Sequence, residues 1–184
     1  MRVLGISGSL RRDSHNGRLL RAAATLLPPE AEFVEFDALK AIPPFDEDDE
    51  QAPADAVIEW REQLEAADAL LFATPEYNHS IPGALKNAVD WASRPFATAA
   101  LRNKPVAVIG TSTGMFGAVW AQAELRKSLA AAGARVIDRE LPVADAENAF
   151  AADGALAEHD QTLALGEIVA ELLAEARPRE PVGA

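Results

Sequence analysis

The sequence predicts an α/β fold: a doubly wound, five-stranded parallel sheet with helices on both faces, a three-layer α/β/α arrangement. Three observations lead there. Strand-like runs alternate with segments of helical period from the first residue to about residue 176, and that alternation builds βαβ crossovers. Two of the runs, DALLFAT (68–74) and KPVAVIGTS (104–112), are almost continuously apolar, as strands covered on both faces must be. The length, 184 residues, suits one domain, expected over residues 1–184 with 177–184 as a frayed tail.

In chain order, RVLGIS (2–7) is the first strand. Leu19, Leu20, Ala23 and Leu26 then recur at helical spacing until Pro28 and Pro29. EFVEFD (32–37) alternates as a second strand, and a Pro-rich acidic connection follows (41–53). Helix two is expected over 54–67, with Val57, Leu64 and Ala67 on one face, and DALLFAT is the third strand. Helix three is expected from about Ser80, with Pro82 in its first turn, where a missing N–H costs little. KPVAVIGTS is the fourth strand. Helix four should run from about 116 to 132, with Gly133 suited to its C′ position. ARVID (134–138) is a short fifth strand. A last helix is expected over 154–176, striped by Leu156, Leu163, Val169 and Leu173. Alanine's abundance reflects helix formation and close packing.

Composition narrows the function. There is no Cys, which excludes a disulfide scaffold, a Cys nucleophile and Cys-ligated metal centres. Seventeen basic against 29 acidic residues give a net charge of −12, a field that repels nucleic acid and anionic membrane surfaces. Residues 45–62 carry eight of the acids and read as a solvated loop and helix start. No apolar run is long enough to span a bilayer, and Met1 leads straight into a strand, so a cytoplasmic protein without a secretory leader is expected. His15, His79 and His159 are scattered singly, without the spacing of a metal site; His15 and His79 could touch cofactor or substrate, but solvated loop histidines are the better reading. Trp60, Trp91 and Trp120 fall on expected helices, where core or subunit packing is the better reading.

Open parallel sheets bind ligands at the carboxyl ends of their strands, at the switch point. The loops after strands one, three and four therefore matter most. The first, GISGSLRRDSHNG (5–17), offers a tight turn at Gly8, small polar side chains at Ser9, Ser14 and Asn16, the cation of Arg11, and the free N–H groups of a helix start. Together they make a phosphate cradle; the alternative is a plain strand-to-helix turn with an N-cap. It is neither a G-x-G-x-x-G fingerprint nor a Walker loop, so Glu35 and Asp37, placed like a ribose-binding acid, carry only a weak signal. In the second, TPEYNHSIPGALKNAVDW (74–91), Pro75, Glu76, Tyr77 and Asn78 lie at the sheet edge. Tyr77 could pack on a planar ring and Asn78 could bond a heterocycle. Equally, Tyr77 could be a half-buried loop aromatic, Glu76 solvated, and Lys86 with Asp90 a surface i,i+4 pair. The third, GTSTGMFG (110–117), is a flexible polar collar or an ordinary βα turn.

The patterns G-S-L-R-x-x-S-x-N and P-E-Y-N-x-S-x-P-G-x-L-K-N-x-x-D-W, in that order, with IPPFDEDDE (42–50) and the GTSTGMFG loop, resemble the NADPH-dependent FMN reductase family, a flavodoxin-like group of bacterial quinone, chromate and azo-dye reductases. The likeness runs from Met1 to about Val136. It implies FMN as cofactor and NADPH or NADH as co-substrate. Ser9, Arg11, Ser14 and Asn16 match the residues that hold the FMN phosphate. Pro75, Glu76, Tyr77 and Asn78 match the segment along the isoalloxazine and ribityl chain, and Ser112 and Gly114 match the border of the pyrimidine edge. The family often has further glycines where Thr113 and Phe116 stand. The resemblance further implies a homodimer or homotetramer, with helix three and residues 93–102 as candidate contacts.

The cofactor then supplies the redox chemistry and no catalytic side chain is needed. NAD(P)H is expected to pass a hydride to the open flavin face, and a small electron acceptor to be reduced at the same position, in a ping-pong cycle. Backbone N–H groups would stabilise charge at the pyrimidine edge. The alternatives are a non-enzymatic flavodoxin-type FMN electron carrier, whose phosphate loop is typically rich in Thr and Gly rather than S-L-R-R, and a flavin-free phosphate-binding domain.

Overall fold

A computed structural model describes residues 1–177. Its elements are β1 (Arg2–Ser7), α1 (His15–Ala24), β2 (Glu32–Phe36), α2 (Asp55–Ala66), β3 (Ala69–Thr74), α3 (Gly83–Ala92), β4 (Pro105–Thr111), α4 (Val119–Ala131), β5 (Arg135–Val136), β6 (Pro142–Val143) and α5 (His159–Ala176). All strand pairs are parallel, in the order β2-β1-β3-β4-β5. This is the doubly wound α/β sheet that the alternation predicted. The sixth short strand was not anticipated. β6 pairs with Gly110 and Thr111 at the end of β4, beyond the point where β5 leaves it. The charged residues 138–140 interrupt what would be one strand: Arg139 reaches Glu167 and Glu171 on α5, and Glu140 pairs with Arg126 on α4.

The two central strands are buried along their whole length. Their side chains divide by the period-two rule. Leu70, Phe72, Val106 and Val108 face a core shared with α2, α3 and α4. Leu71, Ala73, Ala107 and Ile109 face a second core, closed by α1 and α5. Trp60 and Trp91 are fully buried in the first. Their indole N–H groups donate to the carbonyls of Ala88 and Pro43, each at 2.8 Å. Asn87 donates to the same Pro43 carbonyl at 2.8 Å and accepts from the Phe45 N–H at 2.7 Å. The Pro-rich connection is thus fastened to α3 by Asn87 and Trp91.

Several helix starts differ from the expectation, each because a loop spends the residues concerned. Residues 77–80 form a hairpin turn, so α3 begins at Gly83 with Pro82 as its N-cap rather than at Ser80. Gly117 and Ala118 both adopt left-handed conformations, with φ of 56° and 62°, which delays α4 to Val119. Phe150 and Leu156 form an antiparallel bridge around Gly154, so α5 begins at His159 rather than at 154. Leu163, expected in its buried stripe, is exposed, and Leu165, Ile168 and Leu172 take that place. Trp120 is exposed rather than packed within the chain. Gly133 holds the C′ position of α4 with φ of 92°. Of the tail expected to fray, Arg177 caps α5 and residues 178–184 lie outside the described residues.

Gly117 anchors the third loop against β6. A Cβ there would lie 2.5 Å from the carbonyl carbon of Pro142 and 2.6 Å from the nitrogen of Val143. Gly117→Ala is expected to cost about 2–3 kcal/mol through left-handed strain and this backbone clash. Urea unfolding checks it: the midpoint should fall with an unchanged slope.

Candidate functional site

β1, β3 and β4 run parallel, so the loops that follow them emerge at one edge of the sheet. In the first loop, the Gly8 N–H donates to the Ala73 carbonyl at 2.8 Å, holding the chain beside β3. A Cβ on Gly8 would come within 2.7 Å of Leu85 and 3.2 Å of Pro75, so the backbone is pressed onto the second loop. Ser7 Oγ accepts from the Ser9 N–H, and Ser9 Oγ from the Arg11 N–H. Ser14 is the N-cap of α1, its Oγ accepting from the Gly17 N–H at 3.1 Å. The N–H groups of His15 and Asn16, next in the helix, have no intrahelical partner by position. They point the positive end of the helix dipole at whatever lies in front of Ser14.

Asn16 is buried and uses both ends of its amide on one peptide group. Its Oδ1 accepts from the Thr111 N–H at 3.1 Å and its Nδ2 donates to the Thr111 carbonyl at 3.0 Å. This ties the first loop to the third. The third loop is fixed from below as well: Ser112 N–H donates to Val143, Ala146 N–H to Ser112, and Asp145 N–H to Gly114. Gln122, buried on α4, donates to the carbonyls of Gly117 and Leu141 and accepts from the Leu141 N–H.

The second loop is a two-residue hairpin. Tyr77 and Ser80 exchange backbone hydrogen bonds of 3.0 and 3.1 Å around Asn78 and His79, whose φ angles are 54° and 60°. Two positive φ values in succession define a type I′ turn, and Asn tolerates that region better than most residues. Glu76 is not solvated. Its carboxylate is largely buried and accepts from the N–H groups of Trp120 and Ala121, at 3.1 and 3.2 Å, with His79 Nδ1 3.6 Å away. It is the cap that α4 does not obtain from its own N-cap residue, Ala118.

These ties enclose a cleft of about 180 Å³. Ser9, Arg11, Ser14 and Asn16 line it from the first loop, Pro75, Glu76 and Tyr77 from the second, and Ser112 from the third. Asn78 and Gly114 are exposed at the tips of their loops, outside this lining. His15, Thr111 and Thr113, which were not singled out as site residues, line it too. Thr111 belongs both to the fourth apolar run and to the polar collar of residues 110–117, and the collar was the signal that could have marked it. His15 is half-buried, and its Nδ1 is buried without a partner. Burial first, then the charges of Arg11 and Arg18, hold its pKa below the usual histidine value. Arg18 itself lies over the ring of Phe150, 4.4 Å from its centre.

The donor set fits a phosphate monoester. Arg11 makes no side-chain hydrogen bond or ion pair among the described residues, Ser9 and Ser14 line the cleft, and the helix start adds N–H groups. The one lining carboxylate, Glu76, is already occupied by α4. Buried Pro75 and exposed Tyr77 offer flat surfaces beyond the charged end. The arrangement therefore suits a mononucleotide whose ring lies toward an open rim.

Comparison with known proteins gives the same reading. A profile of NADPH-dependent FMN reductases matches residues 1–148. The chain is 45% identical over 158 residues to an NAD(P)H-dependent FMN reductase of Pseudomonas aeruginosa, covering 85% of this chain and 84% of that protein. It is 42% identical over 126 residues to a 2-hydroxy-1,4-benzoquinone reductase of a Burkholderia species, covering 68% of each. The flavoenzyme NAD(P)H:(acceptor) oxidoreductase FerB of Paracoccus denitrificans superimposes with a TM-score of 0.83 at 35% identity, over 95% of this chain and 96% of that one. The family profile over residues 1–148, a relative 45% identical across 85% of this chain and a flavoenzyme that superimposes over 95% of it establish that this chain belongs to the NADPH-dependent FMN reductase family.

Proposed function

We infer that this oxidoreductase uses one open rim for two substrates in turn: NAD(P)H first, then a small electron acceptor such as a quinone, a free flavin or an azo compound. The observation that carries this is the cleft in which three loops meet, lined by an Arg11 without a side-chain partner among the described residues and by the exposed Tyr77 and Thr113. FMN, when bound, supplies the two-electron chemistry that no side chain here provides.

The chain's own residues bind and orient. Arg11, the Ser9 and Ser14 hydroxyls and the N–H groups of His15 and Asn16 hold the phosphate. Asn16 acts chiefly by joining the first and third loops. Pro75 and Tyr77 support the ring system and ribityl chain. Glu76 fixes the second loop to α4, and Asn78 shapes the turn that carries Tyr77. At the pyrimidine edge, the N–H of Ser112 is committed to Val143, so the N–H groups of Thr113 and Gly114 are the ones that stabilise negative charge there. Each turnover removes a hydride from NAD(P)H and, with one proton from water, reduces a quinone to its hydroquinone. Because donor and acceptor use the same rim, they alternate, which is a ping-pong cycle.

The reaction has no need of a membrane, and among the described residues no helix is long and apolar enough to cross one. We place the activity in the cytoplasm, in a homodimer or homotetramer. Phe96, 70% exposed beside a cavity of about 250 Å³ between α3 and α4, marks the contact face.

Anaerobic mixing of the FMN-loaded protein with NADPH is expected to bleach the flavin absorbance rapidly, and later addition of a quinone to restore it. Flavin that stays oxidised until a separate reductase is added would make the chain an electron carrier instead. Arg11→Ala should weaken FMN affinity by about 1.5 kcal/mol, the low end for a charged hydrogen bond because Arg11 is exposed, with riboflavin affinity little changed. Equal FMN affinity in the variant would remove Arg11 from the phosphate site.

A further inference from the structure

On the β2 side of the first loop lies a second cavity, of about 300 Å³, which shares Ser9, Arg11 and Ser14 with the cleft. Its floor includes Phe36 and Leu39, both buried, and Leu10 stands exposed at its lining. Four cations, Arg11, Arg12, Arg21 and Lys40, line it against two carboxylates, Glu35 and Asp37. Arg21 is paired with Glu35 at 3.5 Å. Arg11, Arg12 and Lys40 make no side-chain hydrogen bond or ion pair among the described residues, and Asp37 makes none either.

Acids outnumber bases 29 to 17, yet none of these three has a carboxylate partner among the described residues, whereas Arg126, Arg135 and Arg139 are each paired with one or two. Three unpaired cations around one cavity keep it positive within an acidic protein, and at such short range they outweigh the distant acids. The rest of the lining is specific too. Asp37 stands just past the end of β2, and although the glycine fingerprint of dinucleotide-binding folds is absent, its unpaired carboxylate can accept from a ribose hydroxyl while the cations beside it take a phosphate. Apolar Leu10, Phe36 and Leu39 suit a purine face.

We propose that this cavity is the adenosine 2′-phosphate subsite of the electron donor, in which Arg12 and Lys40 select NADPH over NADH. The assignment rests on the reading of the neighbouring cleft as the flavin site and adds its donor selectivity. Arg11, common to both cavities, lies on the path of the pyrophosphate between them. Asp37 takes the free ribose hydroxyl.

Calorimetric titration of the intact protein with 2′,5′-ADP and with 5′-AMP reads the cavity without turnover. The 2′,5′-ADP is expected to bind at least about tenfold more tightly, and R12A/K40A to abolish the difference. Equal affinities, or inorganic phosphate competing as well as 2′,5′-ADP, would overturn the assignment. In turnover, R12A/K40A should lower kcat/KM for NADPH about 10- to 100-fold through KM alone, leaving NADH kinetics and FMN content unchanged. Equal losses with both nucleotides, or none with NADPH, would overturn it. A wild-type protein that takes up no flavin and oxidises neither nucleotide would instead refute the function proposed above, and the titration would still report on this cavity.

Discussion

The site depends on one buried amide. Asn16, in the first turn of α1, grips both sides of the Thr111 peptide at the end of β4, 95 residues away. Both partners lie out of water, so neither can be exchanged for solvent, and removing one side chain would strand two backbone groups. The bond closes the gap over the end of β3 and sets the separation of the two loops that flank the cleft. Without it the donors of the first loop and the free N–H groups of the third would have no fixed relation, and a preorganised site depends on that relation.

Much of the family's sequence pattern serves this kind of bracing rather than contact with a ligand. Glu76 caps a helix that starts more than 40 residues later. Asn78 adopts a left-handed conformation in the hairpin that presents Tyr77. Asn87 and Trp91 fasten the IPPF segment to α3. Each satisfies backbone groups that a loop or helix end would leave without partners. A motif can therefore recur as a unit because its residues hold one another, while only a few of them face the cavity.

Electrostatics divides the molecule in a similar way. The overall charge is strongly negative, and the acids near α5 and residues 138–140 are engaged in ion pairs with arginines. In the first loop Arg11 and Arg12 make no ion pair among the described residues, and they stand near a helix N-terminus and His15, whose pKa is lowered by burial and by the charges of Arg11 and Arg18. Positive potential is concentrated where phosphates can be bound, and the remaining surface keeps other polyanions away.

The layers, the parallel sheet and the three loops at its carboxyl edge are legible in the order of the residues. These follow from period-two and helical patterning, from the apolar runs of β3 and β4, and from turn residues, all of which act over a few neighbours. That order also carries the first loop's donors, because Ser, Arg and a helix start act locally. The partners emerge only once the chain is folded. That Glu76 belongs to α4, that Asn16 belongs to Thr111, that β6 completes the sheet beside β4, and that Leu163 is exposed where Leu165 is buried are long-range pairings between groups whose local sequences give no sign of them. A hydrogen bond needs two ends, and a chain read in order shows only one at a time.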